Sequence, residues 1–310
     1  MKGLKKIALI AAITAASTAH ADLVSLDDTE MGNTTGQAGL TIDIHSAEIK
    51  MGAVDYKDGG FISIKDITLT GGTGAFGGTG DGILNDIQIM VDVVGDGSDL
   101  GRNNMGETLI DLASQVVVGG GQVSGNYTAP VLSDGDLLIS VSATDFTNLL
   151  NQVDYSLEIG SVGLGKSTEE IGNVSTGTVL VSDFKISGYF GPTEIFIDSD
   201  GGGMNISTYF NAEGSLKVPF MGVETKIAIH NSRGADKVWL AVDDKGHSMA
   251  HAQLNINKGT SAQGVAGLAI DLQNFEADID FEDITIGGAA IGSVYMTDIK
   301  MTGSALVYGH

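Results

Sequence analysis

Apolar and polar residues alternate along seven windows of this chain. They are GLTIDIHSAEIKM (39–51), FISIKDITLTG (61–71), LLISVSATDF (137–146), VDYSLEIGSV (153–162), TVLVSDFKISG (178–188), EIFIDS (194–199) and VYMTDIKMTG (294–303). A period of two puts alternate side chains on opposite faces of a β-strand. The windows therefore predict strands, each with a buried apolar face and a wet polar face. Helical periodicity is strongest in ETLIDLASQVVV (107–118), and FTNLLNQV (146–153) is long enough for about two turns. These predict one or two short helices in an otherwise all-β chain.

Four segments share one template, apolar-x-apolar-x-Asp-apolar-x-apolar-x-Gly. They are ISIKDITLTG (62–71), VLVSDFKISG (179–188), IDFEDITIGG (279–288) and VYMTDIKMTG (294–303). IDLQNFEADI (270–279) is a weaker copy with Asn274 in the aspartate slot. The template changes phase at its centre, because apolar residues occupy positions one and three and then six and eight. One extra residue at the aspartate restores a single apolar face, as a β-bulge or strand corner does. Asp66, Asp183, Asp283 and Asp298 are thus expected to be structural, their short carboxylates bonding to nearby backbone. The alternative is a strand that switches between two stacked sheets.

A second unit, Ile159-Gly160-Ser161-Val162, recurs at 171–174 and 291–294, with a looser copy, MGAV, at 51–54. It overlaps GSVGLGKST (160–168), which matches the phosphate-loop pattern G-x-x-x-x-G-K-[ST]. A working phosphate loop opens a long helix whose amides face the phosphate. Here STEEIGNVSTGTVLV follows, with glycines at 172 and 177 and then a strand. Ser167 and Glu170 have capping-box spacing for at most one turn. The match is read as a repeat unit beside a coincidental Lys166, and nucleotide is not expected as a ligand.

The first 21 residues have the form of a secretory leader. Lys2, Lys5 and Lys6 precede the apolar IALIAAITAAS, and Ala19-His20-Ala21 is a small-x-small cleavage signal. Cleavage after Ala21 leaves one exported domain, 22–310, with no composition break to divide it and no further stretch of transmembrane-helix length. It also leaves 13 basic residues against 39 acidic ones, a net charge of about −26 in place of −23. Such a surface repels nucleic acid and anionic lipid and attracts cations. Cysteine is absent, so stability rests on burial and backbone pairing. Glycine supplies 45 of 310 residues, twice the roughly 7% of average proteins, in the turns between strands.

Sites for chemistry are sparse. GGTGAFGGTGDG (71–82) departs from the calcium β-roll repeat, with Phe76 and Gly82 where aspartates belong. Asp198 and Asp200, and Asp96 and Asp99, cluster in glycine turns without EF-hand spacing. They are candidates for weak Ca2+ binding at most, and solvated Asp-Gly turns are the simpler reading. His247 and His251 stand four apart without a zincin glutamate and are read as a structural pair. No G-x-S-x-G elbow and no cysteine nucleophile occur. No catalytic residue, cofactor site or firm metal site is assigned.

Behind the leader, SLDDTEMGNTTGQAGLTIDI (25–44) joins Leu26-Asp27-Asp28, Met31 and Thr35-Gly36-Gln37-Ala38-Gly39 to the first strand. This stretch resembles the N-terminal signature of a family of exported Gram-negative proteins of unknown function. Some members are named pilus-assembly proteins of the Fil type. The signature there commonly reads Leu-x-Asp-x-Glu-Leu, a spacer and Thr-Gly-Gln-x-Gly, and Met31 stands here for the usual leucine. The resemblance covers about 25 residues within the signature segment 22–45 and implies export and a surface-fibre role. Physically the stretch reads as an acidic helical turn, a glycine turn and a strand.

The expected architecture is an elongated Gly-rich sheet, β-solenoid-like or rolled, with a large β-sandwich as the alternative. The expected function is that of a non-enzymatic secreted or cell-surface structural protein, pilus-associated or adhesive, with itself or other fibre subunits as partners. The periplasm is the alternative location. Two other classes stay open, an outer-membrane β-barrel and a secreted polysaccharide-acting enzyme on a β-helix. Aromatic residues at 6% are few for two membrane girdles, and Trp239 is the sole tryptophan for sugar stacking.

Overall fold

The computed structural model describes residues 39–72, 82–85, 87–95, 128, 130–143, 153–175, 177–231 and 249–309. The leader, residues 22–38 of the signature, Asp96, Asp99, the window 107–118, and 146–153 apart from Val153 lie outside the described residues. Twelve strands follow in chain order: β1 (Leu40–Ile44), β2 (Ile49–Asp58), β3 (Gly60–Thr70), β4 (Ile87–Val93), β5 (Leu137–Ala143), β6 (Val153–Gly165), β7 (Thr178–Ile197), β8 (Met204–Val218), β9 (Val223–His230), β10 (Ala250–Thr260), β11 (Ala266–Ile286) and β12 (Ala289–Val307). A 3-10 turn at Pro219–Met221 is the one helical element among the described residues. Among the described residues the chain is nearly all β, as its alternation predicts. The window 39–51 divides into β1 and β2, whereas 178–188 and 194–199 belong to the single strand β7.

The strands make one continuous sheet of antiparallel pairs, where a β-solenoid would stack parallel coils. Three long strands each serve two neighbours in succession. β7 pairs with β6 through 178–190 and with β5 through 193–197. β8 and β11 hold β10 between their 204–210 and 266–276 halves, and β9 between their 212–218 and 278–286 halves. Two routes of eight strands therefore cross the sheet. One runs β1-β4-β5-β7-β8-β10-β11-β12, the other β2-β3-β6-β7-β8-β9-β11-β12. Among the described residues no pair joins β12 to β1 or β2, so the sheet has two free edges.

The phase change in the template has a backbone cause. Asp66, Asp183, Asp283 and Asp298 have φ of 54°, 49°, 51° and 54°, and they are the non-glycine residues of positive φ among the described residues. A residue in this left-handed region breaks the strand's alternation, so Ile62 and Ile64 before Asp66 share a face with Ile67 and Leu69 after it. The register slips beside three of the corners: between Ser182 and Lys185 against β8, between Glu282 and Thr285 against β9, and between Ala277 and Ile279 against β12. Around Asp66 the register is kept. Its partners lie between Ala53 and Met51 on β2 and between Ser161 and Ile159 on β6, which places Gly52 and Gly160 opposite it. Gly160 in turn faces Asp183, between the pairs Ser161–Ser182 and Ile159–Phe184. The two sequence repeats are thus two sides of one device, corner strands alternating with glycine strands. A Cβ at Gly160 would lie 2.9 Å from the Asp66 Cβ, so this position has no room for a side chain.

Burial differs from the expected pattern. One face carries Leu40, Val91, Ile139, Ile195, Ile206, Leu254 and Leu272 in a single cross-strand row. Its members are half-buried or exposed, and Leu40 is 58% exposed. The adjacent row on the other face, Ser140, Glu194, Ser207, Gln253 and Asn274, is buried. The polar face is covered in part by Thr128 and the chain at 130–136. Thr128 exchanges two backbone hydrogen bonds with the Gln253 amide, and Leu132 packs on Val94, Leu138 and Phe196. Side-chain hydrogen bonds make the burial of Ser207, Gln253 and Asn274 tolerable, since a buried polar group costs free energy chiefly when left unbonded, whereas the Ser140 hydroxyl has no partner among the described residues. The apolar face keeps a small core of Leu84, Val153, Tyr155 and Ala212 where the Ala47–Leu84 bridge crosses it.

The corners predict a backbone effect. Asp183→Ala and Asp298→Ala should each lower unfolding free energy by about 1–2 kcal/mol in urea titrations, because alanine tolerates the left-handed region less well than aspartate. Asp183→Gly and Asp298→Gly should stay near wild type. Equal losses in the glycine and alanine variants would transfer the effect to the carboxylate.

Candidate functional site

Two of the four corner carboxylates, those of Asp183 and Asp283, point to lysines on neighbouring strands. Asp183 Oδ2 lies 3.2 Å from Lys217 Nζ, and Asp283 Oδ2 lies 2.7 Å from Lys226 Nζ, all four side chains exposed. The aspartate hydrogen bond raises the pKa of each lysine, with Coulomb attraction adding to it. Corner backbone amides find side-chain acceptors. The Asp283 N–H donates to Ser293 Oγ at 3.2 Å, and the Asp298 N–H donates to Asp278 Oδ1 at 2.7 Å. Each corner is a local closure rather than one arm of a shared site.

Gly160 to Gly165 lie within β6, which runs straight through the phosphate-loop pattern. Beyond it the chain turns. The Lys166 N–H donates to Glu169 Oε2 at 3.1 Å, and the Ser175 hydroxyl donates to the other carboxylate oxygen. Glu169 thus occupies loop donors that a phosphate would need. The Gly172 N–H donates to Asp55 Oδ2 at 2.7 Å, and Lys65 Nζ donates to the Val174 carbonyl. The Ser63 hydroxyl nearby and then the Gly172 amide hold the Asp55 carboxyl below the usual range.

The aspartate turns are closed in the same way. Asp198 Oδ1 accepts from the Asp200 N–H at 2.9 Å and the Gly201 N–H at 2.8 Å. Asp200 is exposed beside it. Asp136 bridges two turns, accepting from the Ser133 and Ser199 amides at 2.7 and 2.8 Å. Backbone donors thus already use one Asp198 oxygen and both Asp136 oxygens. Among the described residues no group of three His, Cys, Asp or Glu side chains is arranged to hold a metal ion.

The buried polar face holds a network that the sequence reading does not assemble. Ser207 Oγ is 2.9 Å from His251 Nε2, and His251 Nδ1 is 2.8 Å from Asn274 Nδ2. Asn205 Nδ2 donates to Asn255 Oδ1 at 2.6 Å and Gln273 Oε1 at 2.8 Å, and Gln253 Nε2 donates to Asn205 Oδ1 at 3.2 Å. Tyr209 stacks on the His251 ring, 4.4 Å between centroids. A serine, a histidine and an amide in sequence suggest a nucleophilic triad, but the protons run the wrong way. The Asn274 amide donates to Nδ1, so the neutral ring keeps its proton on Nε2 and donates it to Ser207. A general base needs that nitrogen free to accept. Ser207 and His251 are also 1% and 0% exposed. His247 lies outside the described residues, so its pairing with His251 is not described.

Further along the same face a polar cleft of about 500 Å³ is lined by Lys185, Ser187, Glu213, Lys226, Asp280 and Glu282. His230 lies buried beside it, its Nε2 3.2 Å from Asp280 Oδ2 and its Nδ1 4.0 Å from Asp278 Oδ2. Both lysines are already neutralised, Lys185 by Glu158 at 2.6 Å and Lys226 by Asp283. The cleft therefore offers carboxylates and bonded ammonium groups rather than a spare cation for an anionic ligand.

Two measurements test these readings. Titration calorimetry with ATP or GTP and magnesium should give no binding heat, whereas micromolar affinity lost in Lys166→Ala would restore the phosphate loop. Burial lowers the His251 pKa from 6.5 to about 4, against a smaller opposing pull from Glu276. Between those values the unfolded chain binds a proton that the folded chain refuses. The contribution is full above pH 6.5 and is lost as pH falls toward 4, by up to about 3 kcal/mol. Urea titrations across that window should show this slope, and His251→Gln should flatten it.

Residues 1–95 match the model of a Family of unknown function (DUF6160). No curated protein and no solved structure matches the chain. Over its first 95 residues, then, the chain is similar to a family whose function is not known.

Proposed function

We propose that this is a non-enzymatic exported structural protein, secreted or held at the cell surface, that works by assembly or adhesion. The observation that carries the reading is the free edge of the sheet. β12 runs 19 residues, nearly all exposed, and presents Ile291, Val294, Tyr295, Met301 and Val307. A long unpaired edge is a template for adding strands from another chain. The secretory form of residues 1–21 and the signature at 22–45 support export and a fibre role. The excess of acid opposes uncontrolled stacking, so assembly tightens when cations screen it.

One observation favours a second reading, the outer-membrane barrel. A polar buried face opposite an apolar half-exposed face is the alternation of a lipid-facing sheet. Lipid would also require the edges to close, because unpaired backbone is costly in hydrocarbon. Fractionation of cells carrying a tag before His310 separates the two, with surface or medium expected and an integral outer-membrane fraction supporting the barrel. Light scattering of the exported protein should show growth in size as salt or Ca2+ rises. A strict monomer that releases fragments from polysaccharide, and loses that activity when one Asp or Glu is replaced, would overturn the structural reading in favour of the enzyme.

A further inference from the structure

We propose that copies of this chain join head to tail, β12 of one pairing antiparallel with β2 of the next, in the register that sets Asp298 opposite Gly52. This rests on the assembly reading above and names the partner as a second copy and the surfaces as two unlike edges. The direction is already correct. Along the route β2-β3-β6-β7-β8-β9-β11-β12 every step is antiparallel, so β2 and β12 run in opposite senses. A second copy laid alongside in the same orientation continues the alternation without a break.

The register follows the corners at which pairing is kept. There a left-handed aspartate faces a glycine on the next strand, as Asp66 faces Gly52 and Gly160 and Asp183 faces Gly160, whereas Asp183 against β8, Asp283 against β9 and Asp298 against β11 meet a register slip. β12 carries such a corner, Asp298, to the free edge, and β2 carries Gly52 in a copy of the glycine unit to the other. Gly160 is glycine because the Asp66 Cβ would lie 2.9 Å from any Cβ there. Gly52 has nothing within 4 Å of that position, so its own chain leaves the space open. An Asp298 from another copy would occupy it.

Setting Gly52 against Asp298 aligns the rest of both edges. Ile49 then faces Met301, Met51 faces Ile299, Val54 faces Met296 and Tyr56 faces Val294. The exposures of Ile49, Val54 and Tyr56 are 46%, 44% and 64%, and those of Met301, Met296 and Val294 are 47%, 37% and 50%. Apolar residues meet on both sides of the corner because both edges change phase in the same row. A slip of one residue would set each apolar side chain against a polar one. Charge opposes this register at one position, where Lys50 meets Lys300 directly, with Asp298 diagonal to Lys50 and Glu48 diagonal to Lys300. Each lysine is already paired in its own chain, Lys50 with Glu48 and Lys300 with Glu276, which weakens the repulsion. Because the two edges differ, the contact is heterologous, and repeated with a rotation that does not close it generates a fibre.

The absence of cysteine makes the test clean. Val54→Cys and Met296→Cys are made separately in the full-length gene, and the exported proteins are purified, mixed and oxidised. The expected result is a disulfide-linked dimer in the mixture and none from either protein alone. Dimers of Met296→Cys alone would establish a β12–β12 contact and overturn the proposal. So would an intramolecular disulfide in the Val54→Cys/Met296→Cys double variant, which would show an edge closing on its own chain. Gly52→Val is the second arm. It should keep the wild-type melting temperature, since the site is open in the single chain, and lose both the cross-link and the salt-dependent growth in scattering. Wild-type growth in Gly52→Val overturns the register. Growth in the mixture without any cross-link overturns this contact and leaves the assembly reading standing, whereas absence of both overturns the two together.

Discussion

The side-chain alternation of a strand is the constraint on which this sheet depends. A strand that changes phase alone would push its apolar residues through to the opposite face and leave its neighbours mismatched. Gly52, Asp66, Gly160 and Asp183 stand side by side in one cross-strand row, so the change is made together. Farther along, the Asp183 corner slips against β8 and the Asp283 corner slips against β9. Aspartate is a suitable side chain for the role because its short polar arm tolerates the left-handed region, and glycine is a suitable neighbour because it leaves room beside it.

Keeping the apolar row from Leu40 to Leu272 on one face has a consequence for the other. The second face collects serine, asparagine, glutamine, histidine and carboxylate side chains and is nevertheless buried. Such a face is stable when its donors and acceptors find one another. The chain from Ser207 through His251 to Asn274, and the amide ladder of Asn205, Asn255, Gln253 and Gln273, meet that condition. Buried networks of this kind specify register strongly, because a slip would break several bonds at once. The same packing removes His251 and Ser207 from solvent, and hydrogen-bond direction leaves the ring donating to the hydroxyl. Polar residues that look like chemistry in isolation serve here as the interior of a sheet.

The electrostatics are consistent with that interior. Lysines are few, and Lys185, Lys217 and Lys226 are bonded to carboxylates on neighbouring strands. The turn aspartates Asp136 and Asp198 bond to backbone amides. The excess acid is therefore partly absorbed by local closures. Among the described residues, the long apolar edge of β12 and the outer edge of β1 and β2 pair with no further strand.

The sequence by itself determined the fold class and the corners. Period-two alternation is local, so it is written in the order of residues, and a phase change at Asp66, Asp183, Asp283 and Asp298 is visible wherever that order breaks. The strands β4, β8, β9 and β10 were harder to read, because β8 and β10 alternate aliphatic residues with Asn205, Ser207, His251 and Gln253, polar on a face that turned out to be buried. Tertiary structure alone decided which face is covered. Burial depends on what lies across the sheet, and Thr128 reaches Gln253 from 125 residues away. It alone brought the Asp units and the glycine units into one row, since cross-strand register is set by pairing between distant segments. It alone left β12 and β2 at the edges, because position in a sheet depends on the whole order of strands, which no local pattern encodes.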